Sequence, residues 1–192
     1  MKPKKAEYGY LREAFMVKRY HTVGHVAHEE TVGQHTVNVV AMIFWLYDDE
    51  PPLYMVRRAL HHDAPELATG DIPATTKWAF PNLAAEAETV EVGVAIRQGL
   101  ETKDLTDKEE AVLKFADMID LCFKSVEELA YGNDSFAPIL GRGLMYIDGL
   151  LDVELKTWPQ AHELRRILKA NPFINIEEFH VTTTKESGAT CH

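Results

Sequence analysis

The chain has 192 residues, of which 46% are hydrophobic, a size and composition typical of a globular protein with one well-buried core. It carries 20 basic and 30 acidic residues, a net charge of −10, which would repel a long polyanion, so we expect no nucleic-acid partner. The longest apolar runs, such as residues 39–46, are too short to cross a bilayer, and we expect neither membrane insertion nor a secretory signal. Two distant cysteines, Cys122 and Cys191, suggest no disulfide framework, and together these features predict a cytoplasmic protein.

Apolar residues recur at three- and four-residue spacing along most of the chain, which predicts helices. The predicted helical segments are residues 8–18, 31–48, 52–68, 82–100, 107–131, 134–157 and 160–170. No alternating run is long enough to predict a strand. The fold class is therefore all-α, with a single helical-bundle domain over residues 1–179, and residues 180–192 are predicted to be a flexible C-terminal tail because they lack periodicity.

The segment from residue 60 to residue 73 is the most informative part of the sequence. It contains the adjacent pair His62 and Asp63, and Glu66 follows one helical turn later on the same face. A glycine and a proline then break the helix, so Asp71 is expected just beyond its end. The pattern suggests a metal site with a second carboxylate beside it.

Four residues are the candidate metal ligands: His35, His62, Asp63 and Asp117. Two imidazole nitrogens and two carboxylates suit a divalent transition ion such as Mn, Fe, Co, Ni or Zn, and they leave coordination positions open for water and substrate. The sequence between Asp63 and Asp117 contains no histidine, which favours one metal ion per chain. A second ion would need carboxylates from residues 86–91 and remains the alternative.

The order of these residues resembles the HD-domain superfamily of metal-dependent phosphohydrolases. The resemblance is closest to the 5′-deoxynucleotidase branch and to the related phage deoxynucleoside triphosphohydrolases. It is carried by five ordered blocks, residues 31–35, 61–66, 69–73, 114–117 and 127–133.

The resemblance implies roles for further residues. Glu66 matches the acid that acts on the attacking water or the leaving group, and Asp71 matches the carboxylate that contacts the sugar 3′-hydroxyl. Arg19 and Lys77 match cations that hold phosphate. Tyr20 occupies a position where the family commonly has tryptophan, an aromatic residue that rejects ribose.

Several neighbouring residues have simpler expected roles. Thr22 and Thr75 stand where related phage enzymes carry apolar residues near the base, so base preference is left open. Asp71 also has the residue type of a helix N-cap. Asp120, one turn beyond Asp117, is expected to cap its helix or to support a neighbouring ligand. The histidines of the loop at residues 19–30 are not expected to bind the metal.

We therefore expect a metal-dependent hydrolase acting on 2′-deoxynucleotides. The leading version converts a deoxynucleoside 5′-monophosphate to deoxynucleoside and phosphate, and the close alternative releases triphosphate from a deoxynucleoside triphosphate. Two rivals are a non-catalytic nucleotide-binding regulator and a two-iron oxygenase. The resemblance also implies a homo-oligomer from a bacterial cell or its phage, for which the segment 134–157, with Leu144, Ile147, Leu150 and Leu151, is the expected apolar interface.

Overall fold

The computed structural model describes residues 8–171, and this part of the chain is helical without a β-sheet. The predicted domain end at residue 179 and the predicted tail lie outside the described residues. The helices are α1 (Tyr8–Ala14), α2 (Val32–Leu46), α3 (Leu53–His61), α4 (Glu66–Thr69), α5 (Ala74–Ala79), α6 (Pro81–Gln98), α7 (Asp107–Ala130), a 3₁₀ turn (Asp134–Phe136), α8 (Ala137–Asp152) and α9 (Pro159–Lys169). The all-α prediction is confirmed. None of the helices in this part of the chain combines the length and apolarity that a bilayer span requires.

Helix α7 forms the centre of the bundle and packs against α2, α8 and α9. It begins at a capping box, in which the Thr106 hydroxyl accepts the backbone N–H of Glu109 and the Glu109 carboxylate accepts that of Thr106. Its buried stripe includes Phe115 and Ile119. They join a core that also contains Val39, Ile43, Met55, Leu140, Ile147 and Leu155.

The predicted helix over residues 52–68 was wrong in one respect, because the structure divides it. Helix α3 ends at His61 and α4 begins at Glu66, with turns between them. Pro65 has no N–H to donate and disfavours helical geometry in the residue before it. The break places His62 and Asp63 in a bend rather than on a continuous helix face.

The predicted interface on α8 was also wrong. Leu144, Ile147 and Leu151 are buried in the chain's own core, and Leu150 packs against that core. The helix also ends at Asp152 rather than at residue 157. The apolar stripe of α8 therefore stabilises the monomer and is not free to bind a second copy.

The segment between α1 and α2 lies across the end of α7. The Asn133 amide donates to the carbonyl of Gly24 at 2.6 Å, and the Lys124 ammonium donates to that of His28 at 2.7 Å. At the start of α2, a Cβ on Gly33 would lie 2.8 Å from the Cβ of Phe15, so only glycine permits this approach. These contacts hold the loop at residues 19–30 beside the candidate site.

Candidate metal centre

The four predicted ligands come from three parts of the fold and converge. His35 lies on α2, His62 and Asp63 lie in the bend after α3, and Asp117 lies on α7. The Nε2 atom of His35 is 3.2 Å from His62 Nε2, 3.2 Å from Asp117 Oδ1 and 3.3 Å from Asp63 Oδ2. His62 Nε2 is 3.4 Å from the same Asp63 oxygen.

The ligand atoms of His35, His62 and Asp117 all lie within 4.8 Å of one another, as atoms that share one small cation do, and Asp63 Oδ2 adjoins the two histidines. Ligands about 2.0–2.2 Å from a common ion lie roughly 3.0–3.6 Å from one another at ordinary coordination angles. The orientation of both histidine rings is also compatible with a shared cation. His62 Nδ1 is 2.6 Å from the carbonyl oxygen of Ala59, and His35 Nδ1 is 2.6 Å from Asp120 Oδ2. Each Nδ1 therefore faces outward and donates its proton to an oxygen, and each Nε2 faces the cluster, where the lone pair of a neutral ring would be available to a cation. The donor set fits one divalent transition ion.

The charge of the cluster also suits a cation. Burial alone would raise the pKa of Asp63, but His62, His35 and Arg19 hold it well below its usual value. Burial likewise opposes ionisation of Asp117, but its close contact with His35 outweighs burial and lowers the pKa of Asp117. Both carboxylates are therefore ionised at neutral pH.

Glu66, at the start of α4, is the buried acid beside these ligands. Its Oε1 atom is 3.6 Å from the Lys77 ammonium, and its Oε2 atom has no hydrogen-bond partner among residues 8–171. Burial raises the pKa of Glu66 to about 9, and the negative charges of Asp63 and Asp71 contribute. The group is thus protonated at neutral pH and can donate a proton. A cation bound by Asp63 would offset the negative charge of that carboxylate and so reduce its contribution to the raised pKa of Glu66.

Arg19 lies near the candidate ligands in a buried ion pair. Its NH1 atom is 2.9 Å from Glu30 Oε2 and 3.8 Å from Asp120 Oδ2, and its Nε has no hydrogen-bond partner within the described chain. The carboxylates of Asp63 and Asp117 are among the charges that raise its pKa, although burial opposes this. Glu30 was missed at the sequence level, because nothing in its spacing distinguishes it from a surface acid.

Tyr20 and Asp71 are brought into direct contact. The backbone N–H of Tyr20 donates to Asp71 Oδ2 at 2.8 Å, and Tyr20 has a left-handed backbone with φ of 55°. The Tyr20 ring is buried, edge-on to Phe136 at 5.6 Å between centroids. Asp71 therefore fixes the position of an aromatic residue, and its predicted contact with the sugar stays a prediction.

The remaining predicted residues surround this cluster. Lys77 and Thr75 lie half-buried on α5, and Thr22 is exposed in the loop at residues 19–30. The structure assigns neither threonine a contact that defines a base, so base preference stays open.

A cavity of about 780 Å³ opens from the candidate ligands His62, Asp63 and Asp117 towards α6. Lys77 and the outer cations Arg58 and Lys114 line it. Acidic side chains outnumber these cations along its wall, namely Asp63, Glu88, Glu91, Glu101, Asp104, Glu110 and Asp117. Two groups of three potential ligands occur within the described chain, His35 with His62 and Asp117, and Glu30 with His35 and Asp120, and neither includes an acidic residue of α6.

The HD phosphohydrolase of cyanophage S-2L, solved with dA and one catalytic Zn²⁺ ion, has a similar structure. The two superpose with a TM-score of 0.59 and 22% sequence identity, over 86% of this chain and 98% of that one. The chain therefore has the HD-domain phosphohydrolase fold, as the resemblance predicted.

Curated relatives of the chain include 5′-deoxynucleotidases. The protein of Yersinia pestis (strain Pestoides F) is 33% identical over 99 residues, which are 44% of this chain and 50% of the relative. That of Vibrio vulnificus is 29% identical over 93 residues, which are 41% and 48% of the two chains. The chain thus aligns with about half the length of these relatives. No protein-family model matches it.

Proposed function

We propose that this protein is a divalent-metal-dependent hydrolase that converts deoxynucleoside 5′-monophosphates to deoxynucleosides and phosphate. The observation that carries the proposal is the convergence of ligand atoms from His35, His62 and Asp117, with Asp63 Oδ2 3.3 and 3.4 Å from the two histidines. Beside them lies the buried acid Glu66, whose Oε2 has no hydrogen-bond partner among residues 8–171. Further support for the proposal is the similarity to proteins named 5′-deoxynucleotidase and to a phosphohydrolase bound to dA.

The ligand roles of His35, His62, Asp63 and Asp117 are part of this proposal. A divalent ion held by them would supply a positive centre for a phosphate oxygen and would lower the pKa of a water molecule. Zn, Mn, Co, Ni and Fe are all compatible with two nitrogens and two carboxylates.

The residues around the ion would position the phosphate and move a proton. Lys77 and the unpaired Nε edge of Arg19 would hold the phosphate oxygens. Water attacks phosphorus as the bond from phosphorus to O5′ breaks, protonated Glu66 donates its proton to the departing O5′, and a proton of the attacking water returns Glu66 to its acid form. Asp71 would contact the 3′-hydroxyl, and the Tyr20 ring would crowd the 2′ position.

The charge of the cavity favours the monophosphate over the triphosphate. A triphosphate carries about two more negative charges than a monophosphate, yet the wall beyond the ligands carries more carboxylates than cations. Product analysis with dAMP and dATP, each with Mn²⁺ or Co²⁺, tests the proposal. We expect inorganic phosphate from dAMP. Release of triphosphate from dATP, with dAMP untouched, would instead establish the alternative.

The binding of a nucleotide without turnover is the remaining alternative. A protein that binds dAMP and metal but hydrolyses no deoxynucleotide under any of these conditions would be a regulator on an HD-domain scaffold. We also propose that the protein self-associates and acts in the cytoplasm. Light scattering of the purified 192-residue chain tests self-association, and a monomer at all concentrations would be the contrary result.

A further inference from the structure

We propose that Asp120 is a positioning residue that orients both His35 and Arg19, and so couples the metal centre to the cation that holds phosphate. The inference rests on the proposed function for the roles of those two residues. Asp120 lies one helical turn beyond Asp117 on α7, and its side chain is 6% exposed. It is not one of the four proposed ligands, but it contacts one of them, His35, directly.

The contact with His35 determines which ring nitrogen is available to a metal. Asp120 Oδ2 lies 2.6 Å from His35 Nδ1. An ionised carboxylate oxygen can only accept a hydrogen bond, so His35 Nδ1 must be the donor. The Nδ1 proton is thereby held on the outer side of the ring, and the Nε2 lone pair faces His62, Asp63 and Asp117. Carboxylates that hold a histidine ligand in this way commonly strengthen metal binding.

The Asp120 carboxylate also contacts Arg19, the cation proposed to hold the substrate phosphate. The same Asp120 Oδ2 atom is 3.8 Å from Arg19 NH1, and Glu30 holds that nitrogen at 2.9 Å. Two carboxylates on one guanidinium nitrogen leave the Nε edge unpaired within residues 8–171. One oxygen of Asp120 therefore fixes the ring of a metal ligand and one edge of the arginine together.

Two variants at this position separate its contributions. Asp120→Asn keeps an oxygen that can accept from His35 but removes the charge, and Asp120→Ala removes both. Zn²⁺ affinity is measured by chelator competition without nucleotide. We expect it to weaken by roughly 10-fold in Asp120→Asn and by roughly 100-fold in Asp120→Ala. Zn²⁺ affinity equal to the wild type in Asp120→Ala would overturn the inference.

A matched control variant distinguishes a specific effect on Zn²⁺ binding from a general loss of stability. Asp148 also pairs with a buried arginine, Arg165, at 2.7 Å, but on α8 and away from the ligands. Asp148→Asn should lower the melting temperature while leaving Zn²⁺ affinity unchanged. If it weakened Zn²⁺ binding as much as Asp120→Asn, the effect at Asp120 would be one of stability and the inference would fail.

The link to Arg19 is tested with inorganic phosphate as the probe. At saturating Zn²⁺, phosphate affinity is measured for Asp120→Ala, Arg19→Ala and the double variant. We expect the double variant to bind phosphate about as weakly as Arg19→Ala alone, because the carboxylate acts through the arginine. Additive losses would refute the coupling.

The outcomes also separate this inference from the proposed function. Weaker Zn²⁺ binding in Asp120→Ala, in a protein that hydrolyses no nucleotide, would support the positioning role and refute the enzyme activity. If the wild type hydrolyses dAMP and Asp120→Ala binds Zn²⁺ as tightly as the wild type, the enzyme activity is supported and the positioning role is refuted. A wild-type protein that binds no divalent metal would overturn both.

Discussion

Asp71 accepts a 2.8 Å hydrogen bond from the backbone N–H of Tyr20, a residue far away in sequence whose backbone is left-handed with φ of 55°. A left-handed backbone is costly for a bulky residue, on the order of 1–3 kcal/mol, and persists only when its surroundings hold it. The buried carboxylate of Asp71 provides that support. The residue expected to contact the sugar thus also fixes the aromatic ring expected to exclude ribose.

Asp71→Ala should reduce discrimination between dAMP and AMP, because Tyr20 would lose the contact that holds its backbone. We expect the ratio of kcat/KM for the two substrates to fall by roughly 10-fold, equivalent to about 1.4 kcal/mol. Tyr20→Phe is the control, since it keeps the ring and its position and should leave the ratio unchanged. An undiminished ratio in Asp71→Ala would refute a role for this contact in sugar selection.

His62→Ala should abolish tight metal binding, because it removes one of the two imidazole nitrogens of the cluster. We expect the affinity for Zn²⁺ or Mn²⁺, measured by titration calorimetry, to fall by at least about 100-fold. His28→Ala is a matched control, because His28 is half exposed and lies on the loop outside the cluster. Treatment with a chelator should stop phosphate release from dAMP, and added Co²⁺ or Mn²⁺ should restore it. Full activity after exhaustive chelation would count against the metal site.

Glu66→Gln should lower turnover without weakening metal binding. The variant keeps the size of the side chain but removes the acid, and we expect kcat to fall by roughly 10²–10⁴-fold. The control is Glu101→Gln, a carboxylate at the outer part of the same cavity, which should turn over dAMP at close to the wild-type rate. A wild-type kcat for Glu66→Gln would remove this residue from the proposed mechanism.

Glu128 should make the fold sensitive to acid. Burial opposes its ionisation, but hydrogen bonds from Asn133, the Val26 N–H and Lys124 lower the pKa of Glu128 to about 2. Because this pKa lies below the unfolded value, the stabilisation is complete above about pH 4.5 and is lost as the pH falls towards 2.

Glu128→Gln tests this prediction. It should lower the free energy of unfolding at pH 7 by about 2–4 kcal/mol and flatten its dependence on pH between 5 and 2, as measured by urea denaturation. Glu127→Gln, at the neighbouring and largely exposed position, should change stability by less than about 0.5 kcal/mol. A Glu128→Gln variant with wild-type stability across this pH range would contradict the assignment.

The all-α fold class could be predicted from local patterns in the sequence alone. Periodicity of apolar side chains and the capping box at Thr106 are local properties, and the structure confirms the helices that they predict. The same local patterns predicted the ends of helices and the short helices less accurately. Pro65 divides the segment at residues 52–68, and the short helix α5 lies outside the seven predicted segments.

The four candidate ligands could also be proposed from the sequence, because two histidines and two aspartates in this order carry a recognisable chemistry. Their roles remain predictions that metal titration can test. What only the tertiary structure decided is which groups surround them. Glu30 reaches Arg19 across 11 residues of a loop, and Asp120 reaches His35 from 85 residues away and also contacts Arg19.

The same distinction explains the error at α8. Its apolar stripe predicts a buried face, but the sequence does not say whether the burial is against the chain itself or against a second copy. The packing of α8 on α7 assigns Leu144, Ile147 and Leu151 to the chain's own core. Periodicity therefore determined that these side chains would be buried, and only the folded arrangement of helices decided what covers them, because hydrophobic burial has no preference for one apolar partner over another.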